Sequence, residues 1–240
     1  MSDIFAQISQ NYLRIMERVN YVANSVERDP QEIRLLVVTK GQPVEKVQAV
    51  IAAGARLLGE SYVEEATPKI QYFQAETNLE WHMIGHVQSR KARPVCEQFN
   101  KVHSVDSLKL AKRLDQFSGE LRRRLPILLE FNMSGEASKF GMPAWEEDHW
   151  RYLLDDVTSI AEFPNLALQG LMTVPPFDAD PETSRPFYRS LCRLRDYLRT
   201  KIPGANLFEL SMGMSQDYEI AIQEGATILR VGEAILGRRT

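Results

Sequence analysis

The chain has 240 residues, of which 44% are hydrophobic and 25% charged, and its formal net charge is −3 at pH 7. This length and apolar content suit one globular domain over residues 1–240 with a single large core. The slightly acidic balance excludes a protein that relies on a strongly basic surface to bind nucleic acid or an anionic membrane.

The first predicted element is an N-terminal helix. Apolar side chains recur at helical spacing through residues 4–26, before Asp29 and Pro30 interrupt the pattern. The positions that share this apolar face are Ile8, Tyr12, Ile15, Val19, Val22 and Val26. We therefore expect a leading helix within residues 1–28, ahead of the rest of the fold.

Eight short apolar segments follow, and helical patterns separate most of them. They span residues 33–39, 56–58, 80–84, 101–105, 125–131, 166–171, 207–210 and 227–231. Regular alternation of strands and helices is typical of parallel sheets, and eight such units in about 200 residues match a closed barrel. The sequence thus predicts an α/β fold, a (βα)₈ barrel of the TIM type with an additional N-terminal helix.

Two local signals place the first helices of the barrel. The apolar positions Val44, Val47 and Ile51 mark a helix that Gly54 ends. Ser61, three residues before Glu64, has the spacing of a capping box. We therefore expect the following helix to begin at Ser61.

The cysteines and the N-terminus indicate the compartment. Cys96 and Cys192 are the two cysteines, they lie far apart, and neither belongs to a Cys-x-x-Cys pair. A disulfide framework or a cysteine metal site is therefore not expected. The N-terminus shows no signal-peptide pattern, and no apolar run approaches the roughly 18 residues that a membrane span requires. We expect a soluble, cytoplasmic protein.

Lys40 is the most informative single residue. It follows five residues, 35–39, that have the pattern of a strand buried on both faces, so its amine emerges from the core at the end of a strand. A surface lysine that buries only its stem and a pocket lysine that forms an imine are both compatible with this position. An imine-forming lysine must lose its proton, and at the ordinary pKa only about one in a thousand is neutral at physiological pH. Burial and a nearby guanidinium would both lower that pKa.

Glycines and a serine follow the last two predicted strands. Ser211 and Gly213 come after the seventh strand, and Gly232 comes after the eighth. A hydroxyl and exposed backbone N–H groups at this place bind phosphate in many barrels, although the glycines are also compatible with simple strand ends. The spacing from Gly232 to Gly237 resembles a nucleotide P-loop but lacks its lysine, which excludes that motif.

An amine after the first strand and an anion site after the last two strands describe a pocket for pyridoxal 5′-phosphate (PLP), because these strands are neighbours in a closed barrel. In this hypothesis Arg230 lowers the pKa of Lys40 and faces the pyridine nitrogen. An arginine there favours an unprotonated nitrogen, which weakens the ring as an electron sink and predicts a restricted reaction or none. The alternative is that Arg230 is an ordinary arginine at a strand end.

Several other polar residues have plainer interpretations. His82 and His86 have the i, i+4 spacing of a zinc pair but lack its glutamate, so no metal site is predicted. His82 is expected to line or support the pocket as a hydrogen-bonded histidine. Asp217 is explained by helix capping and the helix dipole. Lys139 lies in a polar loop after the fifth strand and is either near the pocket mouth or solvated.

Ordered motifs cover nearly the whole chain. They are Val38–Lys40, Leu58–Tyr62, Trp81–Lys91, Asn132–Ser134 with Glu136, Lys139 and Gly141, Gly170–Met172, Leu210–Ser215 and Arg230–Gly232. With these motifs the chain resembles the pyridoxal-phosphate homeostasis proteins (YggS-like or PROSC-like), single-domain relatives of the alanine racemase N-terminal barrel. The family usually shows Phe-Gly-Glu-Asn-Tyr, where this chain has Leu58 and Ser61 in place of the phenylalanine and the asparagine.

The resemblance implies the roles of the site residues. Lys40 would carry PLP as an internal aldimine (a Schiff base), and Arg230 would meet the ring nitrogen. Ser211, with the backbone of Gly232 and Glu233, would hold the phosphate. The further cofactor-binding candidates are Gly213, Ser61, which would reach the cofactor through water, Met83 and His82.

The resemblance also implies a function. We expect a non-catalytic PLP-binding protein that buffers or delivers the cofactor in vitamin B6 and amino-acid homeostasis, acts as a monomer and has PLP-requiring apoenzymes as candidate partners. Alanine racemase needs two opposed proton carriers and takes the second from a separate C-terminal β domain, whereas this chain ends at Thr240, straight after the eighth strand. The alternatives are a weak racemase-like enzyme with Lys40 as its only base, a cofactor-free Schiff-base lyase, and a scaffold with vestigial ligand binding.

Overall fold

The computed structural model describes residues 2–238 and contains a closed barrel of parallel strands. The strands are β1 Arg34–Val38, β2 Leu57–Glu60, β3 Glu80–Met83, β4 Lys101–Val105, β5 Leu125–Asn132, β6 Met142–Pro143, β7 Leu166–Met172, β8 Glu209–Ser211 and β9 Ile228–Val231. Each strand pairs with the next in the order β1, β2, β3, β4, β5, β7, β8 and β9, and β9 pairs with β1, so the ring closes. β6 lies outside the ring and pairs only with β5 among the described residues. All eight predicted strands are confirmed, and the two-residue β6 was not predicted.

Helices surround the barrel. They are α1 Ser2–Ser25, α2 Val44–Ala52, α3 Val63–Tyr72, α4 Ala92–Gln98, α5 Leu108–Glu120, α6 Leu154–Ala161, α7 Arg185–Lys201, α8 Tyr218–Gln223 and α9 Glu233–Leu236. The predicted leading helix is α1, which buries its apolar face against α2, α8 and α9 and so covers the junction of the first and last βα units. Arg18 of α1 fixes this contact through two hydrogen bonds to Glu219 in α8, of 2.8 and 2.7 Å.

The barrel interior is filled in layers, because alternate residues of each strand point inward. The middle layer contains an apolar cluster of Leu36, Leu128, Met172 and Ile228. Below it, at the amino ends of the strands, Glu209 accepts hydrogen bonds from Arg34 and from Lys101. Above it, Val38, Ile84 and Val174 pack on the cluster and lie near the loops at the carboxyl ends. The site occupies that upper end.

The expected capping box at Ser61 is wrong. Helix α3 begins at Val63, after Tyr62, and the Ser61 hydroxyl makes no hydrogen bond within the described residues. Ser61 instead packs tightly against Gly85, where an added Cβ would lie 2.4 Å from the Ser61 carbonyl oxygen. Glu64 forms an ion pair with Lys91. Ser61 therefore lies in the loop before α3, in close contact with Gly85.

No helix in the described part of the chain is both long enough and apolar enough to cross a bilayer. Cys96 is buried, Cys192 is half-buried, and both are free thiols.

Candidate functional site

Lys40 lies beside the loop that follows β9, the last strand of the barrel, as the strand register predicts. Val37 in β1 pairs with Val231 in β9, so Lys40 stands beside the segment that begins at Gly232. Lys40 lines two adjoining cavities of about 570 and 320 Å³, here called the larger and the smaller cavity. Its side chain therefore lies at the boundary between two spaces at the carboxyl end of the barrel.

Ser215 and the segment that begins at Gly232 form one wall of the smaller cavity. The backbone N–H groups of Gly232 and Ala234 point at Ser215 Oγ, at 3.4 and 3.2 Å. Converging backbone N–H groups form nests that bind anions in many proteins. Here both N–H groups donate to the Ser215 hydroxyl, and we call this group the Ser215–Gly232 nest. A side chain at Gly232 would be tightly packed here, because an added Cβ would lie 3.0 Å from the carbonyl oxygen of Val38. Ser215, Gly232 and Glu233 line this cavity together with Lys40 and Arg230.

Two predicted phosphate residues lie elsewhere. Ser211 ends β8 and points into the barrel interior, and neither it nor Gly213 lines either cavity. Gly213 has φ +89°, and an added Cβ there would lie 2.5 Å from Ala221 Cβ, so it serves the packing of the loop on α8. Ser215 was missed, although its position four residues after the strand end is where a loop side chain reaches the mouth. Phosphate binding by Ser211 stays a prediction.

Arg230 is buried, with 4% of its surface exposed, and still lines the smaller cavity. Its Nη1 donates to Ser211 Oγ at 2.8 Å, and its Nη2 donates to the carbonyl oxygen of Thr173 at 2.9 Å. Burial lowers the pKa of the guanidinium, but an arginine stays charged at physiological pH. Its two hydrogen bonds hold the planar group in a fixed orientation at the floor of the cavity.

A chain of hydrogen bonds continues from Ser211 through the barrel. His103 Nδ1 lies 2.9 Å from Ser211 Oγ, His103 Nε2 lies 3.0 Å from His82 Nδ1, and His82 Nε2 lies 3.1 Å from Glu80 Oε2. We call Glu80, His82, His103, Ser211 and Arg230 the Arg230 relay. It runs from a half-exposed carboxylate at the amino end of β3 to the cavity floor. His82 is thus a hydrogen-bonded support below the site and does not line either cavity.

The groups at the two ends of the relay determine which partner donates in each of its hydrogen bonds. Arginine only donates and an ionised carboxylate only accepts, so each hydroxyl and imidazole between them accepts on one side and donates on the other. Both histidines are then neutral and carry their proton on Nε2. Burial lowers the pKa of His82 against the opposing effect of Glu80, and burial lowers the pKa of His103 far below its usual range.

The larger cavity contains further predicted residues. Ser61, Met83 and Lys139 line it, and Lys139 Nζ donates to the carbonyl oxygen of Pro175 at 3.1 Å. His86 lines it too, paired with Asp106 at 2.9 Å. Residues 2–238 contain no group of three or more histidine, cysteine or acidic side chains arranged to hold a metal ion.

Glu130 in the larger cavity was missed by sequence reasoning. It belongs to β5, it is 6% exposed and it lines the cavity with Lys40. Burial, with a smaller contribution from Asp106, raises its pKa to about 7 against the opposing effect of Arg230. The available signal was a single carboxylate in the otherwise apolar segment 125–131. A carboxyl group with such a pKa can accept and release a proton near neutral pH.

A buried ion pair supports the backbone that carries Lys40. Lys69 Nζ donates to Glu60 Oε1 at 2.8 Å and to the carbonyl oxygen of Thr39 at 2.7 Å. Thr39 Oγ1 donates to the same Glu60 oxygen at 2.7 Å. Burial is the main cause of a raised Glu60 pKa. The residue that precedes Lys40 is therefore fixed through both its side chain and its carbonyl group.

The expected capping role of Asp217 is also wrong. Asp217 precedes α8, but its side chain does not accept from the first N–H groups of that helix. Its Oδ1 accepts from the N–H of Met214 at 2.7 Å, and its Oδ2 accepts from the hydroxyls of Ser184 and Tyr188 at 2.8 and 2.7 Å. Asp217 therefore anchors the loop that contains Ser215 to α7.

Comparisons with known proteins agree with this geometry. The model of the alanine racemase N-terminal domain matches residues 10–240. A pyridoxal phosphate homeostasis protein of Pseudomonas aeruginosa is 40% identical, and the match covers 97% of this chain and 96% of the relative. A pyridoxal phosphate homeostasis protein of Vibrio alginolyticus is 38% identical, and the match covers 98% of each chain. The chain belongs to the pyridoxal phosphate homeostasis protein family.

Among solved structures, PipY of Synechococcus elongatus with PLP bound is 30% identical to this chain. The two superpose with a TM-score of 0.81, and the match covers 96% of this chain and all of PipY. Membership of the family and the barrel fold with its leading helix are thus established for this chain.

Proposed function

We propose that this protein binds PLP covalently on Lys40 and acts in PLP homeostasis without catalysing a reaction of its own. One observation carries the proposal. Lys40 lines the same cavity as the Ser215–Gly232 nest and Arg230. An amine, an anion site and a fixed guanidinium in a single space of about 320 Å³ suit one small molecule that has an aldehyde and a phosphate. The homologues' name and the PLP-bound PipY support the same ligand.

The residues fit this cofactor in chemical type. When bound, PLP supplies an aldehyde that condenses with a primary amine and a phosphate that needs several hydrogen-bond donors. In our proposal Lys40 provides the amine. The nest of Ser215, Gly232 and Ala234, continued by the backbone of Glu233, provides donors for the phosphate. The hydroxyl of Ser211 then acts through Arg230, to which it is bonded.

Arg230 supports the non-catalytic part of the proposal. Its guanidinium has no acceptor atom and carries a fixed positive charge, so it disfavours a proton on a nearby pyridine nitrogen. Hydrogen bonds to Ser211, within the Arg230 relay, and to the carbonyl oxygen of Thr173 keep this group in place. An unprotonated pyridine ring withdraws electrons weakly, and carbanion chemistry at a bound amino acid is then unfavourable.

Borohydride reduction followed by peptide mass analysis tests the binding site. Full-length protein incubated with PLP and reduced is expected to carry one added cofactor on the peptide that contains Lys40. Lys40→Ala should lose this label and the visible absorbance band of the loaded protein. Lys109→Ala, a change at an exposed helix position, should keep both. A label on another lysine, or an unchanged spectrum in Lys40→Ala, would reject the assignment.

A weak racemase-like enzyme is the second candidate, because Glu130 gives the larger cavity an additional group that titrates near neutral pH. The two functions differ in one measurement. The loaded protein is incubated with L-alanine in D₂O, and the exchange of the Cα hydrogen is followed by NMR. A carrier gives no exchange above that of free PLP, whereas an enzyme gives exchange that Lys40→Ala abolishes.

We further propose that the protein works in the cytoplasm as a monomer and passes PLP to apoenzymes that require it. The free thiols of Cys96 and Cys192 suit a reducing compartment. Sedimentation of the loaded protein, alone and with an apoenzyme, tests the monomer and the transfer complex. A dimer across the micromolar range would contradict the first part.

A further inference from the structure

We propose that a buried water molecule between Gln42 and Lys40 is the reactant that frees Lys40 from its cofactor, and that Gln42 positions this water. The inference rests on the proposed function, since it concerns the release of a cofactor from Lys40. It deepens that function by assigning release to hydrolysis at a separate small cavity, and it makes Gln42 a positioning residue.

A third cavity, of about 40 Å³, also borders Lys40, and we call it the Gln42 cavity. It is lined by Val38, Lys40, Gln42, Gly232, Glu233 and Gly237. The residues that it shares with the smaller cavity are Val38, Lys40, Gly232 and Glu233. Its volume exceeds the roughly 10–15 Å³ that one water needs and is far below the about 300 Å³ at which pockets for organic ligands begin. The space is therefore of a size for water.

Gln42 presents a buried acceptor to this space. The residue is 5% exposed, and its Oε1 has no hydrogen-bond partner within residues 2–238. The orientation of the amide is fixed, because Nε2 donates to the carbonyl oxygen of Gly237 at 2.9 Å and a carbonyl oxygen can only accept. A flipped amide would place two acceptors against each other. A buried acceptor without a protein partner, beside a space of this size, is a typical site of an ordered water.

The other groups of the Gln42 cavity also favour water as the occupant. Lys40 contributes an amine, and Glu233 contributes a carboxylate that pairs with Arg238 at 3.3 Å on the exposed side. A buried water both donates and accepts, so it can donate to Gln42 Oε1 and also form a hydrogen bond with an amine. A metal cation in this space would instead lie beside Lys40, whose protonated amine repels it.

Hydrolysis requires a water close to the bond that breaks. The water oxygen forms a bond to the carbon that Lys40 holds, and the bond from that carbon to Lys40 Nζ breaks. Both hydrogens of the water end on Nζ, which becomes a neutral amine, and the carbon becomes that of an aldehyde. Atoms and charge balance, and no oxidant or further reactant is needed.

The role of Gln42 is to hold this water in place before the reaction. Its Oε1 accepts one hydrogen of the water, and a reactant that is already held in position reacts faster than one that must come from bulk solvent. Loading is the same reaction in reverse, because a water leaves as Lys40 forms its bond to the cofactor. Gln42 therefore accelerates loading and release equally and leaves the equilibrium between them unchanged.

Lys46 offers a matched control for the structural part of the Gln42 contact. Lys46 Nζ donates to the carbonyl oxygen of Leu236 at 2.8 Å, and Gln42 donates to that of the next residue, Gly237. Both side chains thus anchor the segment at the end of α9. Lys46 does not line the Gln42 cavity. Loss of either residue removes one anchor, but only loss of Gln42 removes the acceptor for the water.

The rates of loading and release test the proposal on the full-length protein in buffer without primary amines. Loading is the growth of the visible absorbance band after mixing with PLP, and release is its decay while alkaline phosphatase consumes the free PLP. Gln42→Met should lower both rate constants by about tenfold or more and leave their ratio unchanged, because a positioned reactant affects only the barrier. Lys46→Met should change neither rate constant.

Unchanged rate constants in Gln42→Met would overturn the proposal. An equal loss in Lys46→Met would assign the effect to the anchored segment and also overturn it. A change in only one of the two rate constants would show that Gln42 acts on the stability of the loaded state, which contradicts a positioning role.

A monovalent metal cation is the alternative occupant, and salt substitution is its probe. Sodium and potassium chloride are replaced by tetramethylammonium chloride at equal ionic strength. Unchanged rate constants are expected for a water, whereas rate constants that fall in this salt would overturn the assignment.

NMR gives a measurement that does not depend on the cofactor. In the ¹⁵N-labelled protein without PLP, we expect a rotating-frame NOE between water and the Nε2 hydrogens of Gln42, with the sign that separates it from hydrogen exchange. Gln48, exposed on α2, should show exchange alone. Absence of the NOE at Gln42 would reject the water site. Failure of the borohydride label on Lys40 would instead reject the proposed function and leave the NMR result intact, so the two failures are distinguishable.

Discussion

Arg230 Nη1 donates a 2.8 Å hydrogen bond to Ser211 Oγ, and this contact joins the cavity beside Lys40 to the opposite end of the barrel. Through Ser211 the guanidinium connects to His103, His82 and finally Glu80. A buried cation is costly unless its donors have partners, and here the barrel interior supplies them. The Arg230 relay thus stabilises the fold and orients the cavity floor at the same time.

Removal of the Ser211 hydroxyl should destabilise the protein. Ser211→Ala leaves Arg230 without one acceptor and His103 without its donor, both in the buried interior. The expected loss is about 2–6 kcal/mol in the free energy of unfolding, from two unsatisfied groups at about 1–3 kcal/mol each. Urea unfolding measures it. Ser159→Ala, on the exposed face of α6, should change the stability by less than about 0.5 kcal/mol. Equal effects of the two changes would contradict the relay.

The two relay histidines should be neutral with their proton on Nε2, which long-range ¹H–¹⁵N NMR measures directly. A proton on Nδ1 of either ring would reverse the direction that the end groups require. Because burial lowers both pKa values in the folded state, the unfolded chain binds more protons below a pH of about 6.5. Stability should therefore fall as the pH drops below that value, and His103→Gln should reduce this dependence.

Glu130 should have the opposite effect on stability. Its pKa of about 7 in the folded state lies above the ordinary value of 4.5, so the folded chain binds more protons between these values. The ionised group costs up to about 3 kcal/mol of stability above pH 7, and this cost disappears as the pH falls towards 4.5. Glu130→Gln should thus be the more stable protein at pH 8 and show little difference at pH 5. A benefit of equal size at both values would contradict the raised pKa.

The sequence was sufficient to predict the barrel and the position of Lys40. Strand and helix patterns in a sequence reflect which side chains are buried. Because β1 is buried, it is an apolar segment, and the polar residues Thr39 and Lys40 mark its end. The register of β1 on β9 places Val37 opposite Val231, and Lys40 and Gly232, which follow these strands, line the same cavity, as expected for first and last strands. Closure of the ring therefore brings together Lys40 and Gly232, which are far apart along the chain.

The interior partners could not be predicted in this way. His82 and His103 are far apart along the chain, and they meet because β3 and β4 are adjacent and both side chains point inward. Ser61 was expected to begin a helix because of its spacing from Glu64. That local spacing carries no information about the tight contact of Ser61 with Gly85. The sequence alone does not distinguish the roles of Ser211 and Ser215, because both are serines near the end of the same strand. The structure distinguishes them, since β8 ends at Ser211, which lies in the barrel interior, whereas Ser215 lies in the loop that follows.

The buried pair of Lys69 and Glu60 gives a fourth prediction. Lys69→Met leaves the Glu60 carboxylate in the interior without its cation and removes a donor to the carbonyl oxygen of Thr39. A loss of about 3–5 kcal/mol in unfolding free energy is expected, because breaking a buried pair leaves one charge uncompensated. The double change Glu60→Gln with Lys69→Met should recover part of it in urea unfolding. A double variant no more stable than Lys69→Met would show that the pair contributes through packing alone.

Gly170 in β7 provides the sharpest test of the barrel packing. An added Cβ there would lie 1.9 Å from the carbonyl oxygen of Glu209 in β8, and this neighbour is strand backbone that cannot move aside. Gly170→Ala should therefore cost more than about 3 kcal/mol or abolish soluble expression, since overpacking of a rigid core forces the backbone apart. Gly204→Ala is the matched control, because Gly204 has φ +91° and no atom within 4 Å of the added Cβ. Its cost should be limited to the backbone strain of about 1–2 kcal/mol. Thermal unfolding of the two variants compares them, and a similar melting temperature for both would contradict the close approach of β7 and β8.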